Sequence, residues 1–216
     1  MQTMDVDAIA KMIDHTLLAP EATQADIERL CEQAETFNFF AVCVNPWWVR
    51  TAVKKLTGSN VKVCSVIGFP LGMGTAKVRE AEQVISDGVN ELDMVMAVGA
   101  LKSAQNEAVK NDIQKVVALG KPVKVILETC LLTNEEIQRA CLISAEAGAS
   151  FVKTSTGFSS GGAIPRVIQL MHQTIGNQLG IKAAGGIGAI DDLMDMVRAG
   201  ATRIGTSSSV DIVQNL

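Results

Sequence analysis

The chain has 216 residues, of which 48% are hydrophobic, 19% charged and 4% aromatic, and its formal net charge is −4. It is long enough for one large core, since α/β barrels of ~200–250 residues are ordinary single domains. The acidic surplus excludes the basic face that nonspecific nucleic-acid binding needs, while leaving room for a local basic pocket.

The opening MQTMDVDAIAKMIDH has no basic segment followed by an apolar one, so no secretory leader is expected. Apolar runs are a few residues long, far below the ~20 of a membrane helix, and no membrane association is expected. The cysteines are Cys31, Cys43, Cys64, Cys130 and Cys141, an odd number with irregular spacing and no CxxC. Reduced thiols, and hence a cytoplasmic location, fit that usage better than a disulfide frame or a zinc site. There is no tyrosine, so no phenol can serve the chemistry.

In chain order, the first strand is expected at 13–16, followed by an amphipathic helix in TQADIERLCEQAETF with Ile27, Leu30, Cys31 and Ala34 on one face. A strand at 41–44 leads to Asn45-Pro46, a helix-start signal, and Trp47 and Trp48 are expected to pack near that start. A strand at 61–67 precedes the helix in TAKVREAEQVISDG, which ends at Gly88. Strands follow at 91–96 and 123–128, and then TNEEIQRACLISAEAG, where Thr133 and Glu136 form a capping-box pattern and Gly148 ends the helix. The last strands are expected at 151–154, 181–184 and 203–205, with His172 on an outer helix between the first two. The nine methionines read as core filler.

From Asp14 to Arg203 the strands recur about every 27 residues with helices between them, which means βα units and a parallel sheet. Eight such units predict a single (β/α)8 TIM barrel over residues 1–216. The alternative is an open doubly wound sheet, but neither GxGxxG nor GxxxxGK[ST] is present. In barrel enzymes chemistry sits where strands end and βα loops begin.

Lys153 and Lys182 lie inside strands of small and apolar residues. Facing the helices, either would be a desolvated unpaired charge. Facing inward, it either closes the interior as a paired ion or does chemistry. A lysine with a pKa near ~10.4 is almost all ammonium at pH 7, and a second ammonium close by favours the neutral, nucleophilic form. Two lysines on neighbouring strands are a way to build a Schiff-base nucleophile, with a nearby carboxylate as proton shuttle.

Asp93 and Asp14, inside strands, and Glu128, at a strand end, are the candidate acids; the simpler reading of each, strongest for Glu128, is a carboxylate that pairs a lysine. His15 reads as a structural hydrogen-bonding residue. AAGGIG (183–188) and GTSSS (205–209) follow the last two strands, where barrels often bind phosphate through backbone N–H groups, hydroxyls and helix starts. STGFSSGGA (155–163) reads as a mobile cover or a long polar connection, and Cys43 as a core thiol or a site-lining residue.

IDHTLL (13–18), AVCVNP (41–46), VIGFPLG (66–72), ELDMV (91–95), KVILET (124–129), FVKTSTGF (151–158), IKAAGGI (181–187) and RIGTSSS (203–209) together resemble the deoxyribose-phosphate aldolase family over nearly the whole chain. The resemblance implies a (β/α)8 barrel and a class I aldolase that needs no metal and no cofactor. It assigns the Schiff base to Lys153, perturbation of its pKa and proton relay to Lys182, and the proton-relay acid/base to Asp93. Phosphate would lie against Gly157, Gly185, Gly186, Ser207 and Ser208, with Asp14, Thr16 and Cys43 lining the substrate cavity. The partners implied are a small phosphorylated sugar and further copies of the chain, as a dimer or tetramer.

Some members carry a lysine where Phe158 stands here, and some have a longer tail ending in tyrosine, which this sequence lacks. Competing readings are a phosphosugar isomerase with Asp93 as base and a non-catalytic phosphosugar sensor.

Overall fold

The computed structural model describes residues 5–215. Residues 1–4 of the leader reading, and Leu216, lie outside that range. Eight strands pair in parallel, each with its sequence neighbours: β1 (Ile13–Leu17), β2 (Ala41–Val44), β3 (Lys62–Ile67), β4 (Glu91–Val95), β5 (Val123–Ile126), β6 (Phe151–Lys153), β7 (Gly180–Ala184) and β8 (Arg203–Thr206). β8 also pairs with β1, through Ile13–Ile204 and Asp14–Gly205, so the sheet is a closed barrel rather than an open one.

Helix α1 (Val6–Ala10) precedes the barrel. Then α2 (Gln24–Thr36), α3 (Val49–Lys55), α4 (Lys77–Ser86), α5 (Val98–Lys102), α6 (Asn106–Val117), α7 (Asn134–Glu146), α8 (Pro165–Ile175), α9 (Ile190–Arg198) and α10 (Ser209–Gln214) fill the crossovers. The capping box at α7 is formed, with the Thr133 side chain accepting from the Glu136 N–H. Pro46 opens a 3₁₀ turn over Pro46–Trp48, as its missing N–H allows. No helix among the described residues is long and apolar enough to cross a membrane.

The sheet separates two unlike interiors. Outward-facing residues such as Val42, Leu92, Met94, Val125, Val152, Ile181 and Ile204 pack against Ile27, Leu30, Ile113 and Ile168 of the helices in one large apolar layer. Inside the barrel only a small apolar group, Leu18, Cys43, Cys64 and Val66 with Phe69, packs together. The strand period of two makes that division. Leu92 and Met94 face the helices, so Asp93 between them faces in, and the same alternation turns Asp14, Lys124, Lys153, Lys182 and Arg203 inward.

Two sequence expectations about packing fail. Trp47 is 84% exposed, because the 3₁₀ turn points it away while Trp48 joins the core. Met73 is also exposed, on the β3–α4 loop, whereas Met94, Met96, Met171 and Met196 fill core as expected.

Two glycines set backbone spacing near the strand ends. A Cβ on Gly205 would lie 2.9 Å from Cε of Lys182, so the missing side chain makes room for the lysine stem. A Cβ on Gly162 would lie 2.2 Å from the Gly185 carbonyl oxygen, where the two loops meet backbone to backbone and the Ala163 N–H donates to that same oxygen at 2.9 Å. Backbone cannot swing aside as a side chain can. Gly162→Ala is therefore expected to cost ~1–3 kcal/mol through overpacking, and a urea denaturation midpoint equal to the parent's would refute the close approach.

Candidate active site

The β6, β7 and β8 loops and the end of β1 enclose a cavity of about 600 Å³ at the C-terminal mouth of the barrel. Thr16, Gly157, Phe158, Gly185, Gly186, Ser207 and Ser208 line it, and among the described residues Lys153 is its only lining cation. Asp14, Cys43, Asp93 and Lys182 do not line it. They lie fully buried beneath its floor.

Under that floor the inward-facing charges form one network. Asp93 Oδ2 accepts from Lys153 Nζ at 2.7 Å and from Lys182 Nζ at 2.8 Å, while Oδ1 accepts from Lys124 Nζ at 3.0 Å. Lys182 Nζ also donates to Asp14 Oδ2 at 2.5 Å, and Arg203 donates to Asp14 Oδ1 at 3.0 Å. Glu91 takes Lys124 at 2.6 Å and Arg203 at 3.2 Å. The Arg203 guanidinium lies 3.5 Å from the centre of the Phe40 ring and 5.2 Å from that of Phe151, closing the far end of the barrel with a cation–π contact.

The field of this network is legible in its pKa directions. Burial would raise the Asp93 carboxyl, but Lys124, Lys153 and Lys182 together hold it well below the usual carboxylate range. Burial likewise opposes Asp14, which Lys182, Lys124 and Arg203 bring down. Lys182 is raised, against its burial, by Asp14 and Asp93; Lys124 is raised well above the ordinary lysine value, against its burial, by Asp93 and its other anionic neighbours.

Sequence reasoning singled out Lys153, Lys182, Asp93 and Asp14 and missed Lys124, Arg203 and Glu91. The signal for Lys124 was present, since VKV puts a lysine between two strand valines just as FVK and GIKAA do. Cys43, Cys64 and Asp93 offer ligand atoms within 4.8 Å of one another. Yet Lys124 Nζ lies 3.4 Å from Cys64 Sγ, and ammonium groups already fill the Asp93 lone pairs a cation would need. The set therefore suits ammonium better than a metal.

Hydrogen bonds bear on further expectations. His15 is structural, with its ring nitrogens 3.0 Å from Ser209 Oγ and 2.9 Å from Gln33 Oε1. Glu128 pairs no lysine; its carboxylate accepts from the Thr156 N–H at 3.2 Å and from the Thr156 hydroxyl. Asp192 Oδ2 accepts from the N–H groups of Gly188 and Ala189 at 3.0 Å, so those two donors just ahead of α9 are taken up within the loop. The 155–163 loop is a braced connection rather than a cover, tied by Thr156 to Glu128 and by Ala163 to Gly185. All five cysteines are free, and Cys130 alone is exposed.

The family model described as DeoC/LacD family aldolase matches residues 8–214. A protein of Clostridium botulinum (strain Loch Maree / Type A3) named deoxyribose-phosphate aldolase is 53% identical over 210 residues, which is 95% of this chain and 99% of the relative. One of the same name from Geobacillus sp. (strain WCH70) is 53% identical over 211 residues, covering 95% of each. Among solved structures, the deoxyribose phosphate aldolase of Aeropyrum pernix, described as having a unique tetrameric structure, superposes with a TM-score of 0.92 at 35% identity, over 98% of this chain and 92% of that one. On sequence, fold and the residues gathered at the barrel mouth, the chain belongs to the DeoC/LacD aldolase family.

Proposed function

We propose that the chain reversibly cleaves 2-deoxy-D-ribose 5-phosphate into acetaldehyde and D-glyceraldehyde 3-phosphate through a Schiff base on Lys153, a step in the breakdown of deoxyribose phosphates. The observation that carries the reading is a single one. Lys153 Nζ stands at the floor of the cavity, and one oxygen of Asp93 joins it to a second, fully buried lysine.

The nucleophile is the Lys153 amine. With Lys153 counted as an amine, the buried cations Lys124, Lys182 and Arg203 match the buried anions Asp14, Glu91 and Asp93 one for one. The amine attacks C1 of the open-chain aldehyde, and loss of water gives a protonated imine. Its new positive charge forms beside Asp93 Oδ2, which already faces that nitrogen.

The iminium draws the C2–C3 electron pair to itself as the C3 hydroxyl gives up its proton. D-Glyceraldehyde 3-phosphate leaves and an enamine remains. C2 then takes a proton, water hydrolyses the imine, and acetaldehyde leaves with the amine restored. Asp93, held ionised, hands protons between the nitrogen of Lys153 and the ammonium of Lys182 rather than storing one. Gly157, Gly185, Gly186, Ser207 and Ser208 would hold the phosphate with neutral N–H and O–H donors, and Thr16 would line the sugar's path. Binding at that end fixes the reacting carbon over Lys153. Cys43 stands 3.9 Å from Asp93 below the floor, a packing neighbour of the acid more than a substrate contact. A homo-oligomer is proposed with this reading, on the likeness to the Aeropyrum pernix protein.

Borohydride added with deoxyribose 5-phosphate should fix a two-carbon or sugar adduct on Lys153, detected by peptide mass, with turnover unaffected by EDTA. Lys153→Ala should abolish both cleavage and trapping, and a cleaving Lys153→Ala enzyme would sink the mechanism. Cleavage or isomerisation without any trapping would favour the isomerase reading, and binding without turnover the sensor. Lys182→Leu leaves Asp14 and Asp93 each short of an ammonium and removes the relay, so kcat is expected to fall by ~100-fold or more. A near-parental kcat would reduce Lys182 to a structural ion.

Stability should depend on pH through the same groups. Asp93 is depressed, so its contribution is present above the unfolded carboxylate value near ~3.9 and is lost as pH falls through the lower folded value. Lys124 and Lys182 are raised, so theirs is full below ~10.4 and is lost as pH rises through the folded values. The part of the urea midpoint that these groups supply is expected to stay constant between these limits and to drop at both ends. A midpoint that rises on acidification below pH ~4 would contradict the sign.

A further inference from the structure

Glu128 is a buried carboxylate with no ammonium or guanidinium within ion-pair distance among the described residues, and the mechanism above does not use it. It directly follows β5 and Leu127, and its backbone is left-handed, at φ 57° and ψ 60°. Among the described residues Asn38 and Ala104 are the other non-glycine residues at positive φ, and both are exposed; Glu128 is the buried one. A side chain at that φ costs of order ~1–3 kcal/mol and persists where its surroundings over-determine it. Here those surroundings are the loop that carries the nucleophile strand into the cavity wall.

The contacts run in one chain. Beyond the ends of β5 and β6 the strand pairing continues, with the Leu127 N–H donating to the Lys153 carbonyl and the Thr129 N–H to the Thr154 carbonyl, both at 2.9 Å. Between those two rungs, the Glu128 carboxylate reaches across and accepts from both the N–H and the hydroxyl of Thr156. The Thr156 oxygen, its proton spent on Glu128, then accepts from the Phe158 N–H at 3.0 Å. Gly157, caught between, takes φ 85°. Thr156, Gly157 and Phe158 are all wall residues of the 600 Å³ cavity.

Packing does only part of this work. On the far side of Phe158 lies a second cavity of about 130 Å³, lined by Glu128 and Thr156 among others, so the wall has empty space behind it. Phe158 meets Phe69 edge-to-face, 5.1 Å between ring centres, and the hydrogen bonds to Glu128 hold the rest of the segment beside that one aromatic contact.

We propose that Glu128 is a positioning residue that shapes the Thr156–Gly157–Phe158 wall for the phosphate end of the substrate. It acts through Thr156 and touches neither the reacting carbon nor Lys153. The inference rests on the proposed sugar-phosphate cleavage and adds to it the residue that sets preference for a phosphorylated over an unphosphorylated sugar. A buried carboxylate suits the task because it accepts two bonds at once from neighbouring donors, with the strength of a charged acceptor.

The test compares steady-state kinetics on 2-deoxy-D-ribose 5-phosphate and on 2-deoxy-D-ribose for the parent chain, Glu128→Ala, Glu128→Gln and Thr156→Val. Loss of about one such hydrogen bond in Glu128→Ala should raise KM for the phosphorylated sugar ~10-fold, while kcat on it and kcat/KM on the free sugar stay within ~3-fold. Glu128→Gln keeps an acceptor for the Thr156 N–H and should return KM to within ~3-fold of the parent. Thr156→Val severs the chain from the other side. It should show the same split, so the question is answered even where Glu128→Ala does not fold. Equal losses on both sugars, or no loss on either, overturn the role of Glu128 alone. A parent chain that does not cleave deoxyribose 5-phosphate overturns the proposed reaction and this inference together.

Discussion

Charges inside a closed barrel must neutralise one another, and most of this site follows from that constraint. Lys124, Lys153, Lys182 and Arg203 share the interior with Asp14, Glu91 and Asp93. Four formal cations face three anions, in a space where bulk water cannot screen them. Lys153 shares Asp93 Oδ2 with Lys182 and is the one cation of the group that lines the cavity, while the others are held by carboxylates deeper in the barrel. Lys153, proposed as the nucleophile, is thus set apart by position within an ionic network as much as by identity. In the proposed reaction the iminium would form its charge beside Asp93 Oδ2, where the Lys153 nitrogen already stands.

The fold was legible in the sequence because the strands obey a simple rule. Apolar residues facing the helices alternate with whatever faces in, and each of the eight predicted segments falls on an observed strand with its ends shifted by at most a few residues. The same alternation exposed Asp93, Lys153 and Lys182, whose polarity is conspicuous between apolar neighbours. Lys124 carried the same signal and was overlooked; what the sequence hides for it and for Arg203 is the partner. Their strands also carry them inward, but their partners lie across the barrel, and sequence neighbours give no hint of a contact between Arg203 and Asp14 or between Lys124 and Glu91.

Loops were less legible, for a physical reason. The glycines and serines after β6, β7 and β8 pointed correctly to the cavity wall. Which donors remain available there depends on side chains arriving from elsewhere. Asp192 caps the N–H groups of Gly188 and Ala189, and Glu128 captures Thr156. Glu128 was expected to meet a lysine because buried carboxylates usually do. It meets a threonine because its left-handed backbone turns it along the β6 loop and away from the barrel axis. Trp47 differs in kind: it lies in a short 3₁₀ turn, where spacing alone does not say which side chain is buried.

The network is hard to justify by stability. Burying ions costs several kcal/mol each, and replacing a buried ion cluster with well-packed apolar groups is often neutral or stabilising. Barrel interiors are usually filled by layers of valine, isoleucine and leucine, so an apolar alternative is structurally open to this chain. What an apolar layer cannot do is hold a carboxylate ionised between two lysines, one fully buried and one at a cavity floor. Asp93 does so here through a single oxygen. Arg203, clamped between two aromatic rings at the far end, holds Asp14 in place, and Asp14 in turn holds Lys182. Each ion is fixed by one deeper than itself, and the order runs from the rigid end of the barrel to the open one. In the proposed reaction this order makes a proton path with one exit, at Lys153, and the rest of the interior would serve to keep that exit where it is.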